Sequence, residues 1–270
     1  MKKIVLVLSF AVLAALGSGE ALGQQVSIPL AYGIATSPFA SPFYTRGVTQ
    51  LKMEAEYLTV NGTDASFAGG GVDGVVRSTF TDVVAASVQV GLFGMRGSSD
   101  DVVRAGGSTV YSHSNLSQGE LLAGVNGEFQ VLRAGGMSII LLAGPLAELF
   151  YGTVDTTFGS PVPLSGLSDS GSVMSVLYGL QGGGQVGIDL GPARLSMFAL
   201  LQNLQGTSRI AWSLAGRETA EVHPVYETNA GIELAIPAWD VSVGMQSLSR
   251  PGSGSMRGYR ATLWRISWSF

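Results

Sequence analysis

The chain has 270 residues, 46% hydrophobic and 13% charged, about half the ~25% charged share of an average soluble domain. Its 38 glycines come with no cysteine, which excludes a disulfide scaffold, cysteine-ligated metal, thiol catalysis and a lipid-modified N-terminal cysteine. A net charge of −4 and a pI near 5.2 leave no electrostatic footprint for nucleic acid.

Mean hydropathy is +0.33, a value usual for membrane helices. Yet the longest apolar stretches, Ile4–Leu16 counted across Ser9 and Met137–Leu149 counted across Ser138, Gly144, Pro145 and Glu148, each cover 13 residues, short of the ~20 a spanning helix needs. Disorder is equally excluded, because disordered chains are poor in aliphatic and aromatic residues.

Met1-Lys2-Lys3 is a short basic segment, Ile4–Leu16 an apolar core, and Gly17–Gly23 a small-residue stretch ending Ala21-Leu22-Gly23. That three-part pattern is expected of a cleaved secretory signal peptide over 1–23. The chain beyond it keeps one lysine, Lys52, and twelve arginines. Residues 24–49, with Pro29, Pro38 and Pro42, read as an extended lead-in or a segment tucked into a barrel mouth.

From residue 50 the pattern has period two, as when successive side chains face opposite sides of a sheet. Leu51, Met53, Ala55 and Tyr57 oppose Lys52, Glu54 and Glu56. Leu121, Ala123, Val125, Phe129 and Val131 oppose Glu120, Asn126, Glu128 and Gln130. Val176, Tyr178, Leu180, Val186 and Ile188 oppose Ser175, Gln181, Gln185 and Asp189, and Tyr226, Ile232, Leu234 and Ile236 oppose Glu227, Asn229 and Glu233. Ten strands follow, near 50–60, 73–81, 83–95, 119–132, 137–151, 173–190, 194–206, 224–236, 240–249 and 258–270; eight and twelve are the neighbouring alternatives. In the second strand both faces are ambiguous.

Short connections rich in turn residues (133–136, 191–194, 237–240) alternate with long Gly/Ser/Asp-rich ones expected as loops (97–118, 152–171, 205–223, 249–257). That asymmetry fits an all-β, up-and-down antiparallel transmembrane β-barrel over 50–270, with short periplasmic turns and long extracellular loops. A soluble β-sandwich also alternates. Here, however, one face is almost free of charge over about ten residues, the height of a membrane strand, and the other carries Glu, Gln, Asn and Arg.

The final strand sets Thr262, Trp264, Ile266, Trp268 and Phe270 against Arg265, Ser267 and Ser269. This resembles the terminal strand of bacterial outer-membrane β-barrel proteins. The resemblance implies that Trp264, Ile266, Trp268 and Phe270 are read by the barrel-assembly machinery, and that the protein resides in the outer membrane of a Gram-negative cell, among outer-membrane lipid and lipopolysaccharide. It implies no particular function, because that class hosts pores, enzymes, adhesins and anchors.

A ten-stranded barrel is expected to leave a narrow, wet, plugged lumen. Its polar candidates are Lys52, Glu54, Glu56, Glu128, Glu148, Glu233 and Arg265, expected as a network of paired charges, with an ion path as the alternative. Gly182-Gly183-Gly184-Gln185-Val186-Gly187 matches G-x-G-x-x-G in letters, but it lies within a strand and precedes no helix, so it is no phosphate loop. His113 and His223 fall in expected loops. Glu221-Val222-His223 and Asp100-Asp101 resemble in part the acids and His that omptin-type outer-membrane proteases place in loops, with Glu221 where an Asp is expected. No catalytic residue, cofactor or metal site is assigned. The expected role is structural or surface-interactive through the loops; a narrow diffusion pore and a loop-borne hydrolase are the alternatives.

Overall fold

A computed structural model describes residues 43–61, 65–105, 108–159, 168–213, 216–250 and 259–270. The expected signal peptide and the segment 24–42 lie outside the described residues. Ten antiparallel strands form the fold: β1 (Thr49–Asn61), β2 (Ala65–Thr79), β3 (Val84–Ala105), β4 (Ser108–Ala134), β5 (Met137–Gly159), β6 (Ser168–Asp189), β7 (Arg194–Trp212), β8 (Gly216–Ile236), β9 (Val241–Arg250) and β10 (Tyr259–Ser269). Each pairs with its sequence neighbours, and β1 pairs with β10, closing the barrel. Closure leaves no sheet edge within the belt, the condition for strands to cross lipid.

The turns at one end are tight for identifiable reasons. Gly135 and Gly136 adopt φ of 57° and 79° in a two-residue hairpin loop, a conformation for which Gly-Gly suits the strand twist. Between β2 and β3, Thr81 Oγ1 accepts from the Val84 amide at 2.9 Å. Between β8 and β9, Pro237–Trp239 form a single 3-10 turn ended by Asp240 at φ 53°.

Outward positions carry the apolar belt. On β5 these are Ile139, Leu141, Ala143, Pro145, Ala147, Leu149 and Tyr151, after which Thr153 and Asp155 take over. Exposed aromatics mark both margins: Phe80, Phe129, Trp239, Trp268 and Phe270 towards the short turns, and Tyr57, Tyr151, Tyr178, Tyr226 and Trp264 farther along their strands. Such girdles sit at the two membrane–water interfaces.

Three of the expected long loops prove to be mostly ladder. β3 and β4 remain paired to Ala105↔Ser108, β5 and β6 to Thr157↔Ser168, and β7 and β8 to Trp212↔Gly216. β2 likewise starts at Ala65, well before the expected residue 73. The fourth connection, 251–258, lies outside the described residues. By contrast β2–β3 pairing ends at Ala65↔Ser99, β8–β9 at Thr228↔Ser249 and β1–β10 at Val60↔Ala261. Among the described residues the rim is therefore one-sided: β3–β8 form a tall wall, and β9, β10, β1 and β2 a low lip.

Candidate functional site

The structure places Lys52, Glu54, Glu56, Glu128, Glu148, Glu233 and Arg265 inside the barrel, each buried. Their parity explains this: on every strand the residues between belt positions point inward. Lys52 Nζ contacts a Glu54 carboxylate oxygen and donates to Glu233 Oε2 at 2.5 Å. Arg265 reaches Glu54 and Glu233 at 3.6 Å each and donates to Gln246 Oε1 at 2.6 Å. Ser242 donates to Glu233 Oε1 at 2.9 Å. This cluster draws residues from β1, β8, β9 and β10, so it stitches the seam where first and last strands meet.

The sequence patterning missed two interior charges on β2. Asp73 stands directly opposite Glu54 in the β1–β2 register, and its ligand oxygen lies within 4.8 Å of those of Glu54 and Glu56. Arg77, fully buried, holds Glu128 Oε2 at 2.8 Å. Both sit on the strand whose faces were ambiguous; their parity becomes readable only from the register with β1.

Tyr44 enters the lumen from the short-turn end. It is 1% exposed and packs with Ala85, Ile140, Leu142, Phe198 and Leu200. Its hydroxyl donates to Glu128 Oε2 at 2.9 Å, the Arg77 guanidinium lies 5.2 Å from its ring centroid, and Arg133 donates to its carbonyl at 2.9 Å. Burial, reinforced by Glu128, pushes the Tyr44 hydroxyl well above its ordinary value, so it remains a donor. Beneath it, cavities of about 420 and 380 Å³ open at the mouth; the second is lined by Gln50, Arg194, Ser196 and Glu233 among others.

The interior carries more acids than cations. Among the described residues, nine carboxylates are buried (Glu54, Glu56, Asp73, Glu120, Glu128, Glu148, Asp169, Glu227, Glu233) against three cations, Lys52, Arg77 and Arg265. Neutral amides fill part of the remaining space: Gln181 donates to Asn126 Oδ1 at 2.8 Å, and Gln202 to Gln181 Oε1 at 3.4 Å.

Nor is the lumen polar throughout. Leu58, Val60, Phe67, Phe93, Met95, Leu116, Val154, Val173, Leu248, Ala261 and Leu263 form one buried cluster with Trp212 packed against it. Every strand except β8 contributes, so the cluster is a septum across the bore on the wall side of the charges. Beyond it the inner surface turns to hydroxyls, with Ser114 and Thr156 at 2.9 Å and Ser213 donating to Asp169 at 2.5 Å.

The acids and histidines proposed for loops lie on strands. Asp100 and His113 face each other in register and meet at 2.6 Å on the exposed outer surface. Glu221, on β8, is in register with Thr207 of β7; the side chains of Asp101, Glu221 and His223 lie outside the described residues. β3 and β8 are five strands apart in either direction around the ring. Gly182–Gly187 lies within β6 and opens no helix.

No family model and no curated protein matches the sequence. Among solved structures, the outer-membrane protease OmpT of Escherichia coli aligns with a TM-score of 0.56 at 10% identity, over 88% of this chain and 99% of that one. The translocator domain of the autotransporter NalP from Neisseria meningitidis aligns at 0.49 and 12% identity, over 99% of both chains. The outer-membrane protein OprG of Pseudomonas aeruginosa aligns at 0.37 and 12%, over 85% and 99%. At such identities the likeness to OmpT is one of fold: this chain has the architecture of an outer-membrane β-barrel.

Proposed function

We propose that this chain is an integral outer-membrane barrel, closed to diffusion, whose task is carried outside the cell by the tall wall of β3–β8 in a structural or partner-binding role. The observation that carries the reading is the wall itself: six adjacent strands stay hydrogen-bonded well beyond the belt, which gives a rigid surface above the lipid. The septum argues against the pore alternative, because an apolar constriction expels water and blocks ions.

The same reading includes export by the leader 1–23 and recognition of Trp264, Ile266, Trp268 and Phe270 by the assembly machinery. Exposed Arg96, Arg209, Arg217 and Arg260 lie on the strands beyond the belt and suit the anionic headgroups of lipopolysaccharide. It also treats the chain as a non-enzyme: Asp100 is engaged by His113 on the outer face, away from a barrel-mouth site. The test replaces residues 98–115 by a two-residue turn, which keeps the Gly97↔Leu116 pair. The shortened barrel should keep its heat-modifiable gel mobility and lose binding to lipopolysaccharide or whole cells, and the intact protein should be silent in planar bilayers. Discrete conductance steps, or hydrolysis abolished by His223→Ala, would overturn it.

A further inference from the structure

The interior cluster has an imbalance that its own cations do not remove. Glu54, Glu56, Asp73 and Glu233 converge on Lys52 and Arg265, four carboxylates on two cations, all buried. Lys52 and Arg265 are engaged with Glu54 and Glu233. Glu56 and Asp73 remain. Asp73 comes from a different strand than the two glutamates and is 5% exposed; among the described residues no donor reaches either of its carboxylate oxygens or one oxygen of Glu56, and the Glu56 and Asp73 carboxyls lie within hydrogen-bonding reach of each other. Like charges directly opposite on paired strands repel, and Glu54 and Asp73 are such a pair.

We infer that Glu54, Glu56 and Asp73 form a calcium site inside the barrel. The charge fits, because one divalent cation cancels the excess of two carboxylates. The donors fit, because all three are hard oxygens with no His or Cys, the set preferred by calcium and magnesium over zinc. The geometry brings them together. One oxygen from each residue lies within 4.8 Å of the others, close enough to meet on a single cation. Three protein carboxylates suit calcium better than magnesium, which keeps several waters and is usually held by one or two carboxylates. Calcium takes six to eight oxygens, and water supplies the remainder. The cluster borders the short-turn mouth through Glu233, which also lines the cavity of about 380 Å³. The site lies apart from the exposed wall, so it is independent of the surface role proposed above.

The test is calorimetric titration of Ca2+ into the full barrel, folded in detergent and stripped with EDTA, alongside the temperature at which its compact gel form converts to the unfolded one. The expected result is one saturable Ca2+ per barrel, a raised conversion temperature in Ca2+, and affinity weakened about tenfold or more in Asp73→Asn. Asp100→Asn, which alters an exposed acid, should bind as the parent does. Should Asp73→Asn not fold, Glu56→Gln takes its place. Three results overturn the assignment: no saturable heat in the parent, equal affinity in both cluster variants, or an Asp73→Asn barrel that converts at a higher temperature than the EDTA-stripped parent while the parent ignores Ca2+. The last would mean that the carboxylates share protons.

Discussion

Replacing Lys52 by Met tests the ion network most directly. The two side chains are similar in volume, and the lysine is already wholly buried, so packing is kept and charge alone is lost. What remains is Arg265 facing Glu54, Glu56, Asp73 and Glu233. Removing one partner of a buried ion pair costs about 3–5 kcal/mol, because the other is left uncompensated. Lys52 holds two carboxylates, Glu54 and Glu233, so the upper part of that range is expected. It corresponds to a fall of roughly two to four orders of magnitude in the folded-to-unfolded ratio. Urea titration of the protein in lipid vesicles with EDTA, followed by tryptophan fluorescence and by unheated gel mobility, measures it. Lys52→Met combined with Glu233→Gln should recover part of the loss, with a coupling of about 0.5–3 kcal/mol. A loss below about 1 kcal/mol, the scale of an exposed pair, or strict additivity in the double variant, would refute the reasoning.

Three further outcomes follow from the same geometry. Leu141→Arg, at an exposed belt position on β5, should cost about 2–4 kcal/mol in vesicles; if the same change were harmless there, that face would not meet lipid. Leu58 and Leu263 stand opposite each other in the septum, across the β1–β10 seam. Leu58→Ser with Leu263→Ser should give conductance steps in planar bilayers that the parent lacks, and a silent double variant would place the seal elsewhere. Deleting Phe270 removes the two backbone hydrogen bonds with Leu51, at 3.0 and 2.8 Å, together with the terminal aromatic. Cells expressing it should show less barrel in the outer-membrane fraction, and normal insertion would count against a C-terminal assembly signal.

How far the fold can be read from sequence depends on what each face of a strand meets. Where one face meets lipid and the other the polar lumen, as at Leu51–Tyr57 or Glu120–Val131, alternation is unambiguous and the ten strands are legible. Beyond the belt both faces meet water, so Ser, Gly and Asp fill β3 and β4 near Ser98 and Ser114. Such composition reads as loop although the hairpin partner supplies every second hydrogen bond. Gly69-Gly70-Gly71 hid the start of β2 because glycine has no side chain to alternate. Asp73 and Arg77 followed it into obscurity; only the register with Glu54 and Gln50 sets which face they occupy. The septum was illegible for the opposite reason. At Leu58, Val60 and Leu263 the inner face is as apolar as the outer, and period two cannot separate lumen from lipid there.

The seam between β1 and β10 also dictates how the protein must be made. Lys52 pairs with Ser269 across more than two hundred residues of chain, so the last ladder to form carries the highest contact order, the feature that slows folding. Closing so long a loop costs conformational entropy that only the finished ladder repays. Until that moment Lys52, Glu54, Glu56 and Asp73 on the first hairpin lack Arg265, and the halves of the septum have nothing to meet. An incomplete chain thus presents unshielded charge and apolar side chains together, a species that a membrane will not accept and that aggregates readily. Completion is close to all-or-none, and the final eleven-residue strand decides the outcome for the residues before it.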